Sequence, residues 1–414
     1  MNSITLPFFL ILILPISLLI STGVSEFCVI MISLFFLRKI VIEKNWKLLN
    51  NKIFFLLLFL WVYLIINFAI SKNYQVTNFS FRGILFIKYI LFIFAFIYFT
   101  KGKINRVLFA WSIILTIVLI DIYFEFFIGH NLIGIKSHDP TRIASFLGEE
   151  LKIGYFLLGF SFLCIGFFFQ SIAKNSKKIK LLGLLILLLI LICSFITGER
   201  SNFIKTLFCC LLILFFFDKK FIKYKIIFAM SVIIIIVTTL TISSKLNIRF
   251  NGQIISNIEK KGIIESIKET QHGAHYYTAI EIFKKNIFFG IGNKNFRVEC
   301  SKKDYDNPNY LRSEARCSTH PHQIYLEFLS EHGLVGTFII LYVIFYILIF
   351  NIRVFFANRN YVHLASITFI LSAFLPIIPG GSFFVSFDAT IFWLNFAVMN
   401  YFSLDYFNKL KKIN

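Results

Sequence analysis

Hydrophobic blocks of membrane-spanning length constrain the fold of this chain more than any single motif does. A segment in a bilayer must satisfy its own backbone polar groups, and about 17–25 apolar residues do so as one helix. Such runs lie at 5–21, 24–37, 53–70, 84–100, 107–128, 151–172, 181–197, 203–217, 226–243, 334–350, 362–378 and 387–404. The sequence therefore predicts an all-α polytopic membrane protein with about 12 transmembrane helices, within a range of about 10–12.

Composition excludes a soluble multidomain protein. Of the 414 residues, 58% are hydrophobic and only 15% are charged. The formal net charge of +21 would indicate nucleic-acid binding in a soluble chain. In a membrane protein it is better explained by cytoplasmic loops and contacts with anionic lipid, so membrane lipids and no nucleic acid are the expected partners.

The distribution of Lys and Arg predicts the orientation of the spans. Connections rich in these residues alternate with connections that hold few, which places both termini in the cytoplasm. The chain then divides into an N-terminal bundle of about nine spans (1–243), a large, mainly helical periplasmic loop between spans 9 and 10 (244–333), and C-terminal helices with a cytoplasmic tail (334–414).

The exported face collects most of the histidines and two of the seven cysteines. Seven of the eight histidines fall on this face or at its edge, and Cys300 and Cys317 lie in the long loop. In an oxidising periplasm these two thiols are expected to form a disulfide worth about 3 kcal/mol by the chain-entropy argument. The other five cysteines lie within spans, where a thiol is usually a small packing residue.

The segment Cys317–Gly336, CSTHPHQIYLEFLSEHGLVG, contains the most distinctive pattern. Pro321 fits a first helical turn and Gly333 fits the position after a helix end. His322 is a candidate general base, because a neutral imidazole can take a proton from a hydroxyl. The alternative is a histidine that only caps or anchors the helix.

A metal site is the other interpretation of the histidines. His272, His275, His320 and His322 together resemble a ligand set, but no His-Glu-x-x-His motif or paired-cysteine zinc spacing is present. The sequence therefore predicts no metal, and His320 is expected to shape a substrate site instead.

Cationic residues at the exported face are candidate anion contacts. Arg200, in Thr197-Gly198-Glu199-Arg200-Ser201, lies between two spans and suits bidentate phosphate binding. The alternative is that Arg200 pairs with Glu199 or contacts lipid headgroups, and the functional interpretation is preferred. Arg142, in Thr141–Glu150 (TRIASFLGEE), is a second candidate; Lys294 and Arg297 are weaker candidates that a solvated loop would also explain.

The motif HPHQIYLEFLSEHGLVG resembles the signature of the O-antigen ligase and polymerase superfamily, although Gln323 stands where Asn is common. TGERS, RIASFLGEE and GIGNKNFR are similar to segments of bacterial members, and the resemblance covers about residues 140–340. It implies glycan transfer from undecaprenyl pyrophosphate to an acceptor, without nucleotide, metal or other cofactor. In that scheme His322 activates the acceptor hydroxyl and Arg200 holds the pyrophosphate.

The expected function is thus that of a metal-independent glycosyltransferase of the bacterial inner membrane, acting at its periplasmic face. The preferred interpretation is an O-antigen ligase of lipopolysaccharide biosynthesis, with lipid A–core as the acceptor. Other members of the superfamily, a polymerase or a protein O-oligosaccharyltransferase, remain alternatives. A transporter of lipid-linked sugar is disfavoured because no half-to-half repeat is evident.

Overall fold

The computed structural model describes residues 5–71, 81–148, 150–172, 176–307 and 313–413. Helices dominate these ranges, and no strand occurs within them. The helices are α1 (Leu6–Leu12), α2 (Leu14–Ile20), α3 (Thr22–Glu43), α4 (Lys52–Ile70), α5 (Ile87–Thr100), α6 (Ile104–Ile128), α7 (Ile153–Phe167), α8 (Lys177–Ile196), α9 (Arg200–Phe216), α10 (Ile222–Ile242), α11 (Ser244–Asn247), α12 (Ser256–Lys268), α13 (Gln271–Lys285), α14 (Phe296–Glu299), α15 (Ile324–Asn358), α16 (Tyr361–Ala373) and α17 (Ser386–Ile413).

Shorter helical segments connect several of these elements. Two π-helical segments continue α7 through Phe168–Ile172 and join α11 to α12 through Ile248–Ile255. Turns of 3-10 helix lie at Trp46–Leu48, Phe81–Phe86, Ser145–Leu147, Lys219–Phe221, Lys303–Tyr305 and Ser313–Ala315. Glu149 of the TRIASFLGEE motif lies outside the described residues.

Seven helices within the described ranges are long and apolar enough to cross a membrane. They are Lys52–Ile70, Gly83–Thr100, Ile104–Ile128, Ile153–Ile172, Lys177–Ile196, Lys219–Ile242 and Ile324–Asn358. The predicted all-α, multi-pass membrane architecture is consistent with this arrangement, whereas the count of 12 spans stays a prediction.

Two of the predicted spans differ in form from the expectation. The run 5–21 is divided into α1 and α2, and Pro15 lies in the first turn of α2. A proline cannot donate the backbone hydrogen bond of a helix interior, which explains the division. The run 362–378 contains the shorter helix α16, which has 13 residues.

Helix α7 forms the centre of the packed bundle. Every residue from Ile153 to Phe167 is buried, and α7 packs against α6, α8, α9 and α16. By contrast, Phe228 is the one buried residue of α10, so that helix lies at the periphery. The N-terminal end of α7 therefore supplies a rigid base for the connecting segments around it.

The start of α15 corrects two predictions about the histidine motif. Pro321 precedes the helix instead of occupying its first turn, and Gln323 is the N-cap, accepting a hydrogen bond from Leu326 N at 2.8 Å. Gly333 does not end the helix. It interrupts α15 with a left-handed φ of 62°, after which the helix continues to Asn358.

The break at Gly333 permits close packing of a neighbouring turn. A Cβ at this position would lie 2.4 Å from the backbone carbon of Phe288. Leu334 N and Val335 N donate to the carbonyls of Ile287 and Phe288 at 2.8 and 3.1 Å. The glycine thus frees backbone donors of α15, and the turn after α13 uses them.

The polar face of α15 fixes two connecting segments. Glu327 accepts hydrogen bonds from the hydroxyl of Ser382 and, at 3.1 Å, from Phe383 N. One turn later, Glu331 accepts from Lys294 N at 2.7 Å and Phe296 N at 3.1 Å. The four-residue spacing seen in the sequence therefore places both carboxyl groups where buried backbone donors need acceptors.

Replacing Glu331 with alanine is expected to destabilise the protein strongly. The variant leaves two buried N–H groups without an acceptor, at about 1–3 kcal/mol each. The free energy of unfolding in mixed micelles measures the loss. The exposed Glu265, paired with Lys268, provides the control, and Glu265→Ala should change stability by no more than about 0.5 kcal/mol. Equal effects of the two variants would contradict this role.

Candidate active site

A polar cavity of about 350 Å³ lies at one end of the bundle. The first residues of α7, α9 and α17 line it together with residues of the connecting segments. Its lining consists of Arg142, Leu151, Lys152, Tyr155, Glu199, Arg200, Ser201, Asn202, Arg249, His272, Thr319, His320, His322, Pro379, Gly380, Gly381, Val385 and Asp388. Four of the six predicted substrate and catalytic residues are thus brought together.

The turn between α8 and α9 joins the two predicted arginine motifs. Ile143 N donates to Thr197 O at 3.1 Å, which aligns the 141–144 loop with the TGERS turn. Gly198 has a φ of 72°, and a Cβ there would approach Thr141 O to 2.7 Å. Because only glycine fits this contact comfortably, the turn can hold Arg142 and Arg200 beside the same cavity.

Three guanidinium groups line the cavity, and sequence reasoning missed one of them. Arg142 donates to Leu151 O at 2.6 Å, Arg200 to Arg249 O at 3.2 Å, and Arg249 to Gly198 O at 2.8 Å. Burial, with the neighbouring Arg200 and Arg142, lowers the pKa of Arg249 to about 10. Three like charges held by backbone carbonyls form a site that a polyanion would stabilise.

Glu199 positions the same group of residues. Its buried carboxylate accepts hydrogen bonds from Gly154 N at 2.8 Å and Asn202 Nδ2 at 2.6 Å, and lies 3.9 Å from Arg142 Nη2. Burial raises the pKa of Glu199, while Arg142 opposes that shift. The alternative prediction, an ion pair between Arg200 and Glu199, is not seen in the structure, because the carboxylate of Glu199 faces Arg142 instead.

Four histidines form a cluster at this cavity, and His272, His320 and His322 line it. The ring centroid of His322 lies 4.1 Å from that of His320, 5.2 Å from that of His275 and 5.3 Å from that of His272. The side chains come from α13 and from the segment before α15. In the described part of the chain, no three or more His, Cys, Asp or Glu side chains have metal-binding geometry.

These imidazoles are held in the neutral form. Burial lowers the pKa of His320 to about 4, from an ordinary value of 6.5. For His322, burial followed by the neighbouring His320, His272 and His275 lowers the pKa to about 2. A neutral imidazole has a lone pair that can accept a proton. This is the property that the predicted role of His322 as a general base requires.

The backbone and side-chain contacts of the histidine pair fix its orientation. His322 has a left-handed φ of 58°, and its carbonyl accepts a hydrogen bond from Gly380 N at 2.8 Å. Its Nε2 lies 2.9 Å from Ser318 Oγ. His320 Nε2 lies 3.3 Å from Gly380 O, and because a carbonyl can only accept, this contact selects the Nε2–H tautomer of His320.

The remaining predicted residues lie outside the cavity. Arg297 donates to Thr319 O at 3.4 Å, and Lys294 lines a second cavity instead. Cys300 and Cys317 are joined as a disulfide, with Cα atoms 5.2 Å apart. This bond joins the residue after α14 to the segment immediately before the histidine pair.

The cavity as a whole favours an anion next to a neutral base. Four cationic side chains, Arg142, Lys152, Arg200 and Arg249, line it together with two carboxyl groups, Glu199 and Asp388. The guanidinium groups suit phosphate oxygens, and the imidazole of His322 suits a hydroxyl proton. This division of roles fits transfer of a group from a phosphate leaving group to an alcohol.

Comparison with known proteins supports the same class of activity. Residues 184–341 match the model of a protein family described as O-antigen ligase, and no curated protein matches the chain. The matched segment contains Arg200, Arg249 and the four clustered histidines. Such a domain indicates a membrane glycosyltransferase of ligase or polymerase type, with a lipid-linked glycan donor and a glycan acceptor. Through residues 184–341, the chain therefore carries the domain of the O-antigen ligase and polymerase superfamily, as its histidine motif predicted.

Proposed function

We propose that this protein is an O-antigen ligase that transfers a glycan from undecaprenyl pyrophosphate to a hydroxyl of lipid A–core at the periplasmic face of the inner membrane. The observation that carries the proposal is the cavity that Arg142, Arg200 and Arg249 line together with His322. The arginines bind the pyrophosphate, and the isoprenoid tail remains among the membrane helices.

The transfer requires one proton acceptor and one stabilised leaving group. His322 accepts the proton of the acceptor hydroxyl as its oxygen bonds to the anomeric carbon of the glycan. The bond from that carbon to the pyrophosphate oxygen breaks, and undecaprenyl pyrophosphate leaves with the electron pair. Fixed guanidinium groups stabilise the negative charge that develops on this oxygen. No metal or other cofactor is required in this scheme.

Reconstitution with defined substrates tests the proposal. Purified protein in lipid nanodiscs is supplied with an undecaprenyl-pyrophosphate-linked glycan and with lipid A–core, with and without EDTA. We expect glycosylated lipid A–core in both reactions. Longer lipid-linked glycan without modified lipid A–core would instead identify a polymerase, and a glycosylated peptide in place of glycosylated lipid A–core would identify a protein O-oligosaccharyltransferase.

A deletion strain separates ligase from polymerase independently. Loss of a ligase leaves polymerised, lipid-linked glycan that is not attached to lipid A–core, whereas loss of a polymerase leaves single repeat units. Movement of the donor across a bilayer without any glycosidic product would support the transporter alternative.

The pH dependence should report the neutral state of His322. The pKa of His322 is lowered in the free enzyme. The imidazole is therefore neutral and can accept a proton above that pKa, and this ability is lost only as the pH falls through it. We expect kcat/KM to be retained at about pH 5.5, where an ordinary histidine is mostly protonated. The anionic donor raises the pKa of a nearby imidazole, so the acid limb of kcat should lie at higher pH than that of kcat/KM. An acid limb of kcat/KM centred at or above 6.5 would contradict the assignment.

A further inference from the structure

Helix α10 presents an apolar surface along its whole length. It is long and apolar enough to cross a membrane, and Phe228 is its one buried residue. Its exposed side chains are mostly aliphatic, namely Ile226, Ile227, Met230, Ile233, Ile234, Val237 and Ile242. A helix that crosses a bilayer turns such side chains toward the acyl chains, so the end of α10 marks one boundary of the apolar layer.

The chain that follows α10 starts at this boundary. Ile242 ends α10, and α11 begins at Ser244. The four residues of α11, the π-helical segment Ile248–Ile255 and α12 then follow one another without an intervening loop. Because no flexible connection separates them from α10, these elements begin at the surface of the bilayer.

One side of the Ile248–Ile255 segment is fixed to the bundle beside the candidate active site. The ring centroid of Phe250 lies 4.7 Å from that of Phe195 and 6.2 Å from that of Phe203. These two residues lie on either side of the turn between α8 and α9. The segment therefore runs along the end of the bundle and holds Arg249 at the cavity.

Helix α12 carries an exposed apolar stripe after a kink. The backbone leaves helical geometry at Gly262, with a φ of 79° and a ψ of 168°. Beyond it, Ile263, Ile264 and Ile267 are spaced three and four residues apart, within an arc of about 100°. Ile263 and Ile264 are 62% and 71% exposed. None of the 13 residues of α12, all within the described range 176–307, is buried.

The charged side chains of α12 are largely paired with one another. Lys268 Nζ lies 2.6 Å from Glu265 Oε1, and Lys261 Nζ lies 2.6 Å from Glu269 Oε1. The isoleucine stripe, and not an unpaired charge, is therefore the main source of attraction for a partner. A short helix with an aliphatic stripe and a charged face is typical of helices that lie in the plane of a bilayer surface.

We propose that α12 is a membrane-surface helix, whose stripe of Ile263, Ile264 and Ile267 inserts among the acyl chains of the leaflet at the cavity end of the bundle. The lipid contact anchors the adjoining Ile248–Ile255 segment from outside, while Phe250 anchors it from inside. Arg249 is thereby held where a lipid-linked donor enters the cavity from the membrane. The lipid contact is independent of the proposed function, whereas its effect on the donor rests on that function.

A spin label on the stripe tests the lipid contact. Ile264→Cys and, as the matched control on the other side of the helix, Glu265→Cys are labelled with a nitroxide in lipid nanodiscs. The five free cysteines of the chain are buried, and wild-type protein treated in the same way supplies the background signal. Collision rates of each label with oxygen, which concentrates in lipid, and with a water-soluble nickel chelate are measured by power saturation.

The ratio of the two collision rates distinguishes lipid, water and protein around the label. We expect the ratio of oxygen to nickel collisions to be several-fold higher for Ile264→Cys than for Glu265→Cys. Equal ratios, with frequent nickel collisions at both positions, would show a helix in water and overturn the proposal. Few collisions of either reagent at position 264 would show a protein partner, such as a second copy of the chain, and would also overturn it.

A polar stripe tests the link between α12 and the donor. The double variant Ile263→Asn, Ile264→Asn should raise KM for the lipid-linked donor at least about fivefold with a smaller change in kcat, because it weakens binding without altering a residue of the cavity. Glu265→Asn, on the charged face, should keep the KM of the wild type. A wild-type KM in the double variant would overturn the role of α12 in donor binding.

The two assays separate this inference from the proposed function. A lipid-exposed label at position 264 in a protein that transfers no glycan would refute the proposed function and leave the membrane-surface helix in place. Efficient transfer by a protein whose label at position 264 is in water would refute the membrane-surface helix and leave the proposed function in place.

Discussion

Replacing His322 with alanine should lower kcat for glycan transfer about 10²–10⁴-fold, the usual contribution of a positioned general base. The KM for the donor should change little, because in this scheme the guanidinium groups and not His322 bind the pyrophosphate. Transfer is measured in nanodiscs with the lipid-linked donor and lipid A–core. Full activity in this variant would refute the role of His322.

The backbone of His322 complicates an alanine substitution and suggests a better variant. At a φ of 58°, alanine adopts a costly left-handed conformation, whereas asparagine tolerates it. His322→Asn should therefore keep the segment in place while removing the proton acceptor. It should be as inactive as His322→Ala yet as stable as the wild type. His138→Ala, which removes an exposed histidine that does not line the cavity, should retain full activity.

The neighbours of His322 explain why a single base suffices. His320 is committed to Gly380 O through its Nε2–H and to Thr319 Oγ1 at 2.9 Å through Nδ1. These two contacts let His320 support the segment that carries His322. His320 is therefore a positioning residue in the proposed reaction.

The sequence predicted the arrangement of the site better than the details of the helices. Arg142, Arg200, His320 and His322 line one cavity because each is attached closely to a span end that charge and hydropathy already assigned to the exported face. Short connections leave little freedom in where such residues lie. The pairing of Cys300 with Cys317 follows from the same restriction, since these are the cysteines outside the spans.

Residues on long or irregular segments were not predictable in this way. Arg249 lies in a basic loop, where nothing in the sequence distinguishes it from solvated neighbours. Lys294 was assigned to the substrate site, yet it lines the second cavity because Glu331 holds the backbone of its turn against α15. For Glu327 and Glu331, the sequence indicated only that both carboxyl groups lie on one polar face of a helix. Which loops they would anchor depends on tertiary packing.

The three arginines are expected to contribute unequally to donor binding. Arg142 is committed to Leu151 O and faces Glu199, and Arg249 is committed to Gly198 O. The contacts of Arg200 are longer, with Arg249 O and Gln253 Oε1 at 3.2 and 3.3 Å. Arg200 is therefore the guanidinium most readily redirected toward a phosphate.

Replacing Arg200 with alanine should raise KM for the donor and lower kcat about 10²–10³-fold, because its charge is needed most as the pyrophosphate leaves. Arg200→Lys should recover only part of the activity, since an ammonium group keeps the positive charge but cannot form the two parallel hydrogen bonds of a guanidinium.

Two control variants isolate the effect of losing the Arg200 charge. Gln253→Ala removes a hydrogen-bond partner of Arg200 and leaves the charge of Arg200 in place. Lys136→Ala removes an exposed positive charge that does not line the cavity. Both should retain activity near that of the wild type. If Gln253→Ala were as inactive as Arg200→Ala, Arg200 would act by holding the 248–255 segment, and the pyrophosphate would have to be bound by Arg142 and Arg249 alone.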